Sequence, residues 1–149
     1  HIQSGKCVLV MLGHESTVCA VDVTADGLFL FAGGDDKTIR KWDTETGAEL
    51  LKLVGHKNLV WCVCVSPDGE TVCSGGEDNT VRLWNGTTGA SSQVMRGHTD
   101  EVSAVAFSAD ASLVYSASYD ISIKEWDAAS GECLQILLGH TDEVRSVCV

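Results

Sequence analysis

The stretch SGGEDNTVRLW, from Ser74 to Trp84, sets a serine, an aspartate and a tryptophan within eleven residues, and His56 stands upstream in GHKN. Serine, histidine and aspartate are the parts of a hydrolytic triad: a hydroxyl nucleophile, an imidazole base and a carboxylate that orients it. The same groups can also close a structural hydrogen-bond set. A neutral imidazole donates from one nitrogen and accepts at the other, a hydroxyl does both, a carboxylate accepts and an indole donates. Recurrence along the chain separates the two readings.

The pair Gly-His occurs at 13–14, 55–56, 97–98 and 139–140, a step of 42 residues each time. Trp42, Trp84 and Trp126 keep that step, as do Asp36, Asp78 and Asp120. The position ten before each tryptophan is Ala32, Ser74 or Ser116. A catalytic triad does not usually recur in successive units of one chain, whereas a structural set does. The sets are therefore read as structural: His56, Ser74, Asp78 and Trp84, then His98, Ser116, Asp120 and Trp126. Mutual satisfaction avoids the cost of unpaired polar groups in a partly buried site. The first set, His14, Asp36 and Trp42, lacks its hydroxyl. Its network is expected to be weaker by on the order of 1 kcal/mol, the usual worth of one hydrogen bond.

Elements must hold these groups at a fixed spacing, and the repeat supplies them. After each Gly-His comes an alternating apolar run: VCAVDV (18–23), VWCVCV (60–65), VSAVAF (102–107) and VRSVCV (144–149). TADG, SPDG or SADA follows, with the Asp, Pro and Gly of a tight turn. A second strand is predicted next, then a turn centred on Asp36-Lys37, Asp78-Asn79 or Asp120-Ile121, and a third strand ending at Trp. DTETG, NGTTG or DAASG makes another turn before a fourth strand such as AELLKLV or CLQILL. Four antiparallel strands cannot bury both faces of their own sheet. Stacked neighbours can, and closing the stack into a ring removes most free edges.

The segment GHKNLVWCVCVSPDGETVCSGGEDNTVRLWN resembles a WD40 repeat, and the resemblance extends over nearly the whole chain. It implies an all-β propeller of about three and a half four-stranded blades, a partial ring. In that family the His, Ser/Thr, Asp and Trp of each blade form a structural tetrad, here the sets named above. Family members usually follow Trp with Asp; Asp43 and Asp127 keep this and Asn85 departs from it. The resemblance divides the single repeat region, 1–149, into a leading outer strand at about 6–12, units at about 13–54, 55–96 and 97–138, and the start of a fourth at 139–149. Residue 1 is His and residue 149 falls within an apolar run, so a longer parent chain is expected. The alternative is that two copies complete each other's ring.

The totals narrow the function. With 10 Lys plus Arg against 21 Asp plus Glu, the formal charge is −11. No basic cluster is present, which argues against nucleic acid as a partner. CVLVML is far too short an apolar run to span a bilayer. Seven cysteines lie mostly in apolar runs. They read as buried reduced thiols in a reducing, intracellular compartment, cytoplasmic or nuclear. No cofactor is expected. No metal site is expected either, because the repeated histidines should sit on separate blades. The loops AGGDD and SGGED place acids where a phosphate would have to bind.

The resemblance implies a platform whose partners dock where the fourth strand of one unit leads into the first of the next. Residues there that break the repeat are informative. Trp61 has Cys19, Ser103 and Arg145 as equivalents, and Leu59 stands two before it. The pair could anchor a partner's side chain or pack on the next blade. Glu77 and Tyr119, just before the turn aspartates, with Glu101 and Glu143, could form an acidic rim that prefers a basic peptide, or could be ordinary solvated charge. Asp22 breaks the inner-strand pattern and is expected to face the central channel. The primary expectation is a non-catalytic interaction scaffold that binds proteins or peptides and could self-associate through open blade edges. The alternatives are a sensor or substrate-receptor portion of a larger complex, such as a ubiquitin ligase or a signalling NTPase, and an enzyme in its own right.

Overall fold

A computed structural model describes residues 7–149, and among these it contains twelve strands and no helix. β1 (Val18–Val23), β2 (Phe29–Gly34), β3 (Thr38–Asp43) and β4 (Glu49–Val54) form the first sheet. β5 (Val60–Val65), β6 (Thr71–Gly76), β7 (Thr80–Asn85) and β8 (Ser91–Arg96) form the second. β9 (Val102–Phe107), β10 (Leu113–Ser118), β11 (Ile123–Asp127) and β12 (Cys133–Leu137) form the third. Each sheet is antiparallel with its strands side by side in chain order. These are the blades of an open ring.

The cores lie between blades rather than within them. Phe31, Ile39 and Leu53 of the first sheet pack with Val60, Val63, Val72 and Trp84 of the second. Cys62, Cys73, Val81, Leu83 and Met95 of the second pack with Val102, Val105, Val114 and Trp126 of the third. Two glycines set the spacing. A Cβ on Gly33 would come 2.6 Å from Val60 Cγ1, and one on Gly75 would come 2.4 Å from Val102 Cγ1. The inner strand of each following blade therefore rests on bare backbone.

Two expected strands do not form. Residues 7–12 and 144–149 carry no strand, and residue 6 of the expected leading strand lies outside the described residues. Both segments are apolar enough, but a strand exists only when another backbone pairs with it. Instead, Leu9, Met11 and Leu12 lie across the first sheet with Val21, Leu30 and Trp42 around an open cavity of about 440 Å³. The cysteine expectation is also corrected. Cys62 and Cys73 are buried and Cys19 and Cys64 are half-buried, but Cys7, Cys133 and Cys148 are exposed. They lie on segments that no further blade covers in this structure.

The repeated polar groups meet inside each blade. His56 Nδ1 lies 3.0 Å from Asp78 Oδ1 and His56 Nε2 lies 2.7 Å from Ser74 Oγ. Trp84 Nε1 donates to Ser74 Oγ at 2.9 Å. The third blade repeats this with His98, Asp120, Ser116 and Trp126 at 2.7, 2.7 and 2.8 Å. A carboxylate only accepts, so Nδ1 donates to it; Nε2 is then the acceptor for the serine hydroxyl. In the first blade His14 Nδ1 meets Asp36 at 2.9 Å, but Nε2 meets the Ala32 carbonyl at 3.2 Å. Trp42 Nε1 turns to the Leu12 carbonyl at 3.3 Å. The missing hydroxyl is thus replaced by backbone. Both partners of His14 are acceptors, and a neutral imidazole can donate to only one of them.

The same aspartates order the turns. Asp36 and Asp78 accept from the backbone and hydroxyl of Thr38 and Thr80, and Asp120 accepts from both groups of Ser122. This holds Lys37, Asn79 and Ile121 at positive φ, 65°, 61° and 63°. Burial pushes the three carboxyl groups up, but these hydrogen bonds and the histidine outweigh it. Asp36 and Asp120 are held at about 2, and Asp78 lies lower still. His98 is held below its usual 6.5 by burial, against the pull of Asp120.

Two measurements check this network. Ser74→Ala strands the Trp84 N–H and the His56 Nε2, so it should cost about 1–3 kcal/mol in denaturant unfolding. Ala32→Ser, beside the open cavity, should gain roughly 1 kcal/mol. Equal, negligible effects would contradict the hydrogen-bond assignment. As for pH, His98 and the three carboxyl groups all bind protons more weakly folded than unfolded. Their contribution is therefore lost as pH falls, beginning below 6.5 with His98 and continuing from 3.8 toward about 2 with the aspartates. The melting temperature should fall steadily across that range; a flat profile from neutral pH to about 3 would contradict it.

Candidate functional site

Burial decides what the serines can do. Ser74 and Ser116 are fully buried, each hydroxyl held between an indole N–H and an imidazole. A nucleophile must reach its substrate, and these oxygens face no solvent. His14, His56 and His98 sit one per blade. Among the described residues no group of three or more His, Cys, Asp or Glu side chains is placed to hold a metal ion. The polar groups that repeat thus belong to the blades, and the residues that break the repeat are left to make a surface.

Those residues form one edge. The Glu77 N–H donates to the Leu59 carbonyl at 3.0 Å, and the Tyr119 N–H donates to the Glu101 carbonyl at 3.0 Å. Leu59 is thereby beside Glu77, and Glu101 beside Tyr119. Trp61 bridges the two blades: its Nε1 donates to Glu101 Oε2 at 2.7 Å. The residue is 38% exposed, so the indole is held at its N–H while part of it meets solvent. Arg145 Nη2 donates to Glu143 Oε2 at 2.9 Å, and the guanidinium lies 5.9 Å from the Tyr119 ring centroid. The structure therefore brings Leu59, Trp61, Glu77 and Glu101 into one run and Glu101, Tyr119, Glu143 and Arg145 into its continuation. Two of the acids are already engaged, one by an indole and one by a guanidinium.

Asp22 does not stand free in the channel. Its Oδ2 accepts from the Val65 N–H of the next blade at 2.8 Å, a clasp between inner strands. Lys41 was not singled out by the sequence, yet it does the same work farther out. Its buried Nζ donates to the Gly86 carbonyl of the second blade at 2.8 Å and lies 3.9 Å from the Phe29 ring centroid. The one signal for it is a lysine where strand alternation calls for an inward side chain.

Comparison with known proteins agrees with this architecture. Residues 5–43, 47–85 and 89–127 each match the family model described as "WD domain, G-beta repeat". The chain is 44% identical over 45 residues to the ribosome biogenesis protein ERB1 of Yarrowia lipolytica, 30% of this chain and 6% of that protein. It is 44% identical over 39 residues to the nuclear distribution protein PAC1 of Scheffersomyces stipitis, 26% of this chain and 7% of that one. These matches cover about one repeat, and the chain spans a small fraction of either relative. Among solved structures, "Structure of U3-55K" superposes with a TM-score of 0.89 at 30% identity, over 93% of this chain and 44% of that one. "Crystal structure of RRP9 WD40 repeats" gives 0.89 at 31%, over 93% and 43%. With three matched repeats, three four-stranded blades and this superposition, the chain belongs to the WD40 repeat family of β-propellers.

Proposed function

We propose that this chain is part of a non-catalytic protein–protein interaction scaffold, and that its rim at Leu59, Trp61, Glu77, Glu101, Tyr119, Glu143 and Arg145 receives a partner protein or peptide. The observation that carries the proposal is the half-exposed indole of Trp61, held edge-on by Glu101 across two blades. An aromatic side chain fixed in place loses little entropy on binding, which is the property of an interface anchor. The acids around it outnumber the one guanidinium, so a basic segment is the favoured partner and nucleic acid is not. The non-catalytic assignment rests on the burial of both serine hydroxyls. An intracellular setting, cytoplasmic or nuclear, agrees with seven cysteines that are all free thiols in this structure. The open apolar surfaces of the first and third blades, with Val18, Val21, Leu134 and Ile136 exposed, offer self-association as a second contact. Relatives named as ribosome biogenesis proteins support the scaffold class, though a match over one repeat carries no partner across.

Binding of a Lys/Arg-rich peptide, read by fluorescence anisotropy, tests this. Trp61→Ala should weaken it about tenfold or more, and Glu77→Gln should weaken it less. Raising salt from about 50 to 300 mM should also lower the affinity. Affinity indifferent to both Trp61 and salt would remove the rim from consideration.

A further inference from the structure

The middle blade holds a group of thiols that neither the tetrads nor the rim use. Cys62, Cys64 and Cys73 all lie on the side of the second sheet that packs against the third. The register sets Cys64 directly opposite Cys73 on the neighbouring antiparallel strand. The repeat gives a built-in comparison. The same register sets Asp22 opposite Phe31 in the first blade and Ala106 opposite Tyr115 in the third. Of the three described blades, the facing cysteines occur in the second alone.

The hydrogen-bond pattern fixes the spacing. The Ser66 N–H donates to the Thr71 carbonyl opposite it, whereas the Val65 N–H points away to Asp22. Bonded and non-bonded pairs alternate along an antiparallel ladder, so Cys64 and Cys73 form a bonded pair. Such pairs have Cα atoms about 5.5 Å apart, inside the roughly 4.4–6.8 Å that a disulfide spans. Their Cβ atoms start about 4.5–5.5 Å apart and must close toward about 3.8 Å. A bond made by drawing strands together is more easily reduced than a relaxed one. Cys62 is less suited. It faces Gly75 on the partner strand, its Sγ lies 3.6 Å from the carbonyls of Gly75 and Val102, and its diagonal separation from Cys73 is about 7–8 Å.

We propose that Cys64 and Cys73 form a reversible cross-strand disulfide in the presence of a peroxide, making the inner strand pair of the middle blade a redox-modification site. This goes beyond the scaffold reading and does not depend on it. Cys64 is half-buried and Cys73 fully buried, so Cys64 meets the oxidant first. Its thiolate attacks one oxygen of hydrogen peroxide; the O–O bond breaks and hydroxide leaves, giving the sulfenic acid. The Cys73 sulfur then attacks the Cys64 sulfur, the S–O bond breaks, and the departing hydroxide leaves as water with the Cys73 proton. Two thiols lose two electrons and two protons, and one peroxide becomes two waters. Burial, together with the neighbouring Cys64 thiol, pushes the Cys73 thiol up, so Cys73 is the resolving partner rather than the first to react. The link would tie β5, which carries Trp61, to β6.

The test treats the folded 149-residue chain with limiting hydrogen peroxide, blocks free thiols with N-ethylmaleimide and cleaves in the turn at Asp68–Glu70. Mass spectrometry should find the two flanking fragments joined, about 2 Da lighter than their sum, until a reductant separates them. Cys64→Ser should abolish the joined species, and Cys62→Ala should leave it in place, with circular dichroism showing both variants folded. Two results would overturn the proposal: Cys73 remaining free after the exposed Cys7, Cys133 and Cys148 are consumed, or joined fragments persisting in Cys64→Ser.

Discussion

Each blade is organised around an imidazole that has a carboxylate at one nitrogen and a hydrogen-bond partner at the other. In the second and third blades that partner is a buried serine, which also takes the indole N–H of the blade's tryptophan. One chain of bonds thus runs from the turn aspartate through histidine and serine to tryptophan. It fixes the turn after the second strand, the loop before the first and the large side chain that fills the gap to the preceding blade. None of the groups can be removed singly without leaving another unpaired where water does not reach. The first blade shows what the constraint allows: without a hydroxyl at Ala32, two backbone carbonyls stand in.

Packing follows from that anchoring. Trp84 and Trp126 are held by their N–H groups and pack toward the preceding sheet, where the apolar clusters form. Bare backbone at Gly33 and Gly75 lets the next inner strand come close. Asp22 and Lys41 then clasp adjacent blades through backbone groups of the second. A blade in the middle is therefore complete on both faces, and its residues that break the repeat, such as Trp61 and the Cys64–Cys73 pair, are set on a firm base. The first and third blades each keep one open side.

Much of this was legible in the sequence because the 42-residue step repeats the requirement. A single Ser, His and Asp would have been ambiguous; His and Asp at one spacing in three units, with Ser in two of them, were not. The strands were legible for the same reason, with alternation between turn residues. The runs at 7–12 and 144–149 misled because their pattern matches a strand, while pairing depends on a neighbour that a pattern does not reveal. Asp22 was expected in a hydrated channel, but its target, the Val65 N–H, lies 43 residues away on another sheet. The bond from Trp61 to Glu101 spans 40 residues and was equally out of reach. Burial of the cysteines was overread, since an apolar run is buried only where another blade covers it. The candidate rim came from departures from the repeat, which mark positions the blades do not dictate, and its internal pairs depend on how side chains turn once the blades are packed.

The tetrads depend on where the histidine protons sit, and nitrogen NMR of the histidine side chains reads this directly. Long-range 15N–1H correlation on the folded chain at neutral pH should show His56 and His98 with a proton on Nδ1 and a bare Nε2 that accepts from serine. Finding His56 and His98 protonated on Nε2 would mean that their serines do not close the network, and the structural account of the tetrads would fail.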